Sequence, residues 1–239
     1  LMGAASVVCA LAVLRIPSEP LEIRNPRRWG NFSLIAEDRV FAKMLFAWMI
    51  LGLANLALLP LRVEILANPV YGFNLSNGEV ILITVVIFAV ARIVGLKVFG
   101  LFFERMNFLA YRILINALLF LAILFYFNFD SVAAVALGSA FFGFGMGGGN
   151  LAWNLWVTRI APDEQVSEYM SVHMSLTGIR GVFSPILAYS LLPFTSPQIL
   201  SWASLFLLVV SGWLFLGLLR DPQIGPKFAG RDQGEPADQ

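Results

Sequence analysis

The sequence predicts an all-α membrane protein, a polytopic bundle of six transmembrane helices preceded by the end of another. Six apolar stretches follow one another near 44–66, 79–102, 107–127, 131–157, 168–192 and 197–219. A hydrocarbon core about 30 Å thick needs roughly 20 helical residues to cross it. Only helices or closed barrels satisfy the backbone in lipid, and runs this long are helices. Hydrophobic residues make up 59% and charged residues 13%, about half the charge of a soluble domain. The basic residues are also sorted: thirteen of the 16 Lys and Arg fall at gaps on one side, against Arg62 on the other. That bias predicts a basic side in the cytoplasm, a cytoplasmic C-terminus and a multi-pass protein of the cell (inner) membrane.

Residues 1–14 are apolar but too short to span. The arginines follow this run instead of preceding it, so it is expected to be the end of a preceding transmembrane helix and not a signal peptide. Residues 15–43 form a basic cytoplasmic linker carrying Pro17, Pro20, Pro26, Arg24, Arg27 and Arg28. It is expected to turn helical behind Asn31 or Ser33 as N-cap, with Glu37 in the first turns. Residues 44–219 make the six-helix domain. Asn68–Gly78 is its longer external loop, whereas the tight turns at 128–130 and 193–197 force antiparallel neighbours. Residues 220–239 are polar and rich in Gly, Pro and Asp, and are expected to be a disordered cytoplasmic tail.

Several chemistries drop out. Cys9 and His173 are the sole residues of their kinds, which leaves no disulfide framework and no expected metal site or cofactor. A net charge of +1 argues against a nucleic-acid partner. An intramembrane enzyme needs clustered titratable groups at depth, and with one His and no acid there the chain is not expected to be an enzyme. The string Gly143-Phe144-Gly145-Met146-Gly147-Gly148 matches a dinucleotide-binding fingerprint but lies inside an apolar run with no strand before it. Its small residues, Gly145 and Gly149 among them, are expected to allow close helix approach or a bend.

Polar residues are unevenly distributed among the runs. The first has Asn55, the second Arg92, the fourth Asn150 and Asn154, and the fifth His173, Thr177 and Arg180 along one stripe. A central Arg costs about 2.5–3.5 kcal/mol on insertion scales, so it must face protein or water. These four runs are therefore expected to face an interior. The third, with Asn116, and the sixth, with serines, are expected to be lipid-facing support.

This pattern, with the loop sequence Gly100-Leu101-Phe102-Phe103-Glu104-Arg105, resembles the C-terminal half of a major facilitator superfamily transporter. The loop is similar to that family's Gly-x-x-x-Asp-Arg signature with Glu in place of Asp, and Arg112 stands as the remnant of the basic cluster that follows it. The resemblance implies two six-helix halves whose first, second, fourth and fifth helices line a central cavity, and solute transport by alternating access. The partners implied are a small-molecule solute, the lipid bilayer and a missing N-terminal six-helix half. Substrate contact is then assigned to Asn55, Arg92, Asn150, Asn154, Thr177 and Arg180, coupling to His173, and gating to Gly100, Glu104 and Arg105. Each has a plainer reading, as a structural tie, interhelical glue or a solvated pair. With no acid at the depth of Arg92 and Arg180, the reading leans towards an anionic solute. A non-transporting membrane scaffold or assembly subunit is the alternative.

Overall fold

The computed structural model describes residues 31–71, 73–222 and 224–229. The expected helix end at 1–14, the linker up to residue 30 and the tail beyond 229 lie outside the described residues. Among the described residues, six helices are long and apolar enough to cross a membrane: α1 (Arg39–Ala67), α2 (Asn77–Phe103), α3 (Phe108–Phe127), α4 (Val132–Leu155), α5 (Asp163–Phe194) and α6 (Pro197–Arg220). Each matches one apolar run of the sequence.

Local chemistry sets the helix starts. As expected, a short helix, Leu34–Glu37, starts behind Ser33 with Glu37 in its first turn, although the Ser33 side chain makes no cap bond; α1 is capped separately by Asp38, whose carboxylate accepts from the Val40 and Phe41 amides. The first membrane helix therefore begins at Arg39, five residues earlier than expected. Asn31 instead donates its amide to the Ser171 hydroxyl at 2.9 Å. Ser76 and Glu79 form a reciprocal capping box at the start of α2. Asn107 caps α3 and Ser196 caps α6. Pro60 breaks α1 near its far end, and Pro185 lies within α5, where it can make no amide hydrogen bond.

Helix α1 packs against α5 and α6, α4 packs against α2 and α3, and α3 packs against α6. Exchanging α1, α2 and α3 with α4, α5 and α6 maps this neighbour set onto itself. Successive helices alternate in direction, so α1 and α4 run oppositely. The six helices are thus two three-helix units in inverted repeat.

The α2–α4 contact is a backbone contact. A Cβ on Gly143 would lie 2.2 Å from the Phe88 carbonyl oxygen, one on Gly147 2.5 Å from the Leu96 nitrogen, and one on Gly95 2.3 Å from the Phe144 carbonyl. The glycine-rich string is a packing surface, as expected, but Gly145 and Gly149 are not the residues of closest approach. Gly145 faces Leu118 and Leu119 of α3 instead, and a Cβ on Gly149 would lie 3.9 Å from Ile115.

The opposite face of α2 and most of α5 are exposed, each with 17% of its most apolar window buried against 50% for α3. Helix α3 is therefore not mere support: it holds Tyr111, Arg112 and Asn116 in the interior. Asn116 donates to the Leu208 carbonyl of α6 at 2.9 Å.

The start of the tail departs from expectation. Residues 225–228 form a short helical turn, Ile224 and Phe228 are buried, and Phe228 packs on Phe108. The Asn107 amide donates to the Gly225 carbonyl at 2.8 Å. Two apolar side chains in a polar segment are enough to dock it on the start of α3.

Gly143→Leu should destabilise the purified chain in detergent by about 1–3 kcal/mol or more, because backbone atoms of α2 cannot give way as a side chain can. Gly178→Ala, where a Cβ meets nothing within 4 Å, should leave the unfolding transition unchanged. Equal effects would contradict the glycine-packed interface.

Candidate functional site

Arg180 of α5 is 8% exposed and reaches across to α1. Its Nη1 donates to the Trp48 carbonyl at 2.6 Å, and its guanidinium lies where Gly52 has no side chain. A Cβ on Gly52 would be 1.9 Å from Cζ and 2.3 Å from Nε. Glycine is therefore required at position 52 for this seat, a steric demand unrelated to backbone conformation.

Beside it is an arginine whose place the sequence reading missed. Arg112 does not sit in the loop cluster after α2 but one turn inside α3, 2% exposed. Its Cζ is 3.7 Å from the Trp48 ring centroid and 6.0 Å from that of Phe215. Such stacking suits a weakly hydrated planar cation. Both arginines meet the same residue, Arg180 at the Trp48 carbonyl and Arg112 over the Trp48 ring. The usable signal was Asn107 as N-cap, which sets Arg112 within the following apolar helix.

Both arginines line one cavity of about 260 Å³ between α1, α3, α4 and α5. Asn55, Asn150 and Thr177 line it too, as does Trp153, and no carboxylate is among the lining residues. Several buried polar atoms here have no hydrogen-bond partner among the described residues: Nε of Arg112 and of Arg180, Nε1 of Trp48, Oγ1 of Thr177 and Oδ1 of Asn55. In a native interior such groups are nearly always paired. Four of the five can donate, and two carry positive charge. The chemistry they complement is an acceptor with negative charge.

The other expected contacts fall elsewhere. Arg92 is exposed on α2 and outside this cavity, although its carbonyl lies within the glycine contact with α4. Asn154 is exposed as well and donates to the Asn150 carbonyl of its own helix. His173 is fully buried behind the tryptophan wall, with the rings of Trp48, Trp153 and Trp156 centred 5.9, 5.6 and 5.1 Å from its own. Neither of its nitrogens has a partner among the described residues.

At the basic end of the bundle, Glu104 pairs with Arg159 after α4 at 3.7 Å, and Arg159 also lies over the Phe103 ring. Arg105 and Gly100 are exposed. A cluster at the other end has a structural role: Arg62 donates to Ser139 and sits among Phe88, Tyr126 and Phe142. Ser139 in turn donates to the Ile83 carbonyl, within the wide helical turn Leu82–Ile87 of α2. Looser local bonding of that kind leaves a carbonyl available.

The family model described as Major Facilitator Superfamily matches residues 1–185. No curated protein matches the chain.

Gly52→Ala should fold, because the atoms it meets are the far end of a flexible side chain, but it should displace the Arg180 guanidinium. The purified variant should keep its unfolding free energy within about 1 kcal/mol of wild type, and any ligand whose binding Arg180→Gln abolishes should be lost as severely. Wild-type binding by Gly52→Ala would contradict the assigned seat.

Proposed function

The chain belongs to the major facilitator superfamily, and on that basis we propose that it carries a small anionic solute across the membrane by alternating access. The observation that carries this reading is the pair Arg112 and Arg180, buried on one cavity whose lining holds no carboxylate. Two positive charges in a low-dielectric interior repel strongly, and an anion between them removes much of that penalty. Asn150 and Thr177 supply further polar contacts from α4 and α5, and Asn55 does so from α1.

The remaining cavity wall is assigned to an N-terminal six-helix half, against which the exposed faces of α2 and α5 would close. On that arrangement Arg92 would serve the opposing wall. The orientation follows the charge bias, with the basic end and the C-terminus in the cytoplasm of a cell membrane. His173 is proposed as the coupling group. A proton there and an anion beside Arg180 would each favour the other, which is linkage between two sites.

Glu104 and Arg159 join the loop after α2 to the end of α4, and this pair is proposed to hold one conformational state. Glu104 is more than half exposed, so the bond is worth about 1 kcal/mol or less. Glu104→Gln should change the exchange rate by no more than about fivefold and leave equilibrium affinity alone. Loss of affinity at an unchanged exchange rate would place Glu104 in binding instead.

The direct test is uptake into vesicles by the complete transporter. Arg180→Lys keeps the charge but loses the planar fork and should reduce transport by tenfold or more; Arg180→Gln should abolish it. Preference for a neutral solute, carried equally well by all three forms, would overturn the anion reading and leave Arg180 a structural tie between α5 and α1.

A further inference from the structure

The cavity has two unlike ends. Helices α1 and α3 run away from the basic end, so Trp48 and Arg112 lie nearer that end than Leu56 and Leu119. Helix α4 runs the other way, which puts Trp153 near the basic end and Met146 near the far one. Arg112 and the rings of Trp48 and Trp153 therefore lie at one end of the cavity, the Arg180 guanidinium lies at the level of Gly52 midway along it, and the far end, Asn55 apart, is aliphatic. The eight residues from Trp48 to Leu56 correspond to about 12 Å along the helix axis.

From this we infer that the solute is an amphiphilic organic anion: a carboxylate head against Arg112 and Arg180, and an aliphatic body directed towards Leu56, Leu119 and Met146. The inference rests on the anion reading above and narrows it to a class. Inorganic phosphate and sulfate fit this cavity poorly. They are charged on every side, and the aliphatic end offers nothing to replace their hydration. A carboxylate leaves one end of the molecule free of charge, and its two oxygens match the parallel N–H groups of a guanidinium. Arg112 supports the head in a particular way. Its guanidinium is stacked on the Trp48 ring and the residue lines the cavity, so its charge is held beside the head with no protein acceptor at Nε among the described residues.

The test is titration of straight-chain carboxylates from acetate to decanoate, and of inorganic phosphate and sulfate, into the complete transporter in nanodiscs. Heats from empty nanodiscs are subtracted. Each added methylene should raise affinity about fourfold until the chain outgrows the cavity, after which affinity should level or fall. Leu119→Asn should flatten this rise, whereas Arg112→Gln should weaken every carboxylate. Phosphate or sulfate binding more tightly than any carboxylate, or a series without chain-length dependence, would overturn the amphiphile and leave the anion reading standing. Binding of none of these anions would overturn both. The wild-type series decides between these outcomes even if a variant fails to fold.

Discussion

The 2.6 Å hydrogen bond from Arg180 to the Trp48 carbonyl, made across the space left by Gly52, determines how α5 meets α1. A guanidinium at this depth has no water to fall back on and must find its partners within the protein. The backbone carbonyl supplies one, and Nε is left buried without a partner among the described residues. Arg112 answers the same constraint differently, by stacking on the Trp48 ring. Trp48 thus serves both arginines, one through its carbonyl and one through its indole, and it also forms part of the enclosure around His173. The polar end of the cavity is organised around this residue.

Inverted repetition explains why such a site can exist inside an apolar bundle. The contacts between α2 and α4 and between α1 and α5 are related by the exchange of repeats, yet they are built differently. Glycines let α2 and α4 touch backbone to backbone, with no room for a polar side chain between them. At the α1–α5 contact one glycine accommodates a guanidinium instead. The same topological position is sealed by glycines in one repeat and holds a buried arginine in the other. The exposed face left on α2 and the exposed surface of α5 are what a second half would cover.

The spans were legible in the sequence because lipid imposes a length and a composition on every crossing helix. Their starts were less so: the helix that begins behind Ser33 stops at Glu37, and α1 begins afresh behind Asp38, since a cap is a local geometric competition among neighbouring polar residues. Arg180, Asn55, Asn150 and Thr177 were found as polar residues at depth, and they do share one cavity. Arg112 was missed because it follows a loop signature in which basic residues are expected, although Asn107 fixes it inside a helix. Arg92 looked equivalent to Arg180 by depth, but depth does not specify a face. Phe228 and Ile224 went unnoticed in a tail whose average composition is polar.

The central claim is that the Arg180 cavity opens in turn to each side of the membrane around a bound anion. Thr177→Cys, in the complete transporter with every native cysteine, Cys9 included, replaced by Ser, puts a single thiol in the Arg180 cavity. The measurement is its labelling by a membrane-impermeant maleimide applied from either face, with and without a bound carboxylate. Labelling from both faces, suppressed by the carboxylate and not by a neutral amide of the same size, is the predicted result. Labelling from one face only, or labelling that the carboxylate does not slow, would contradict it.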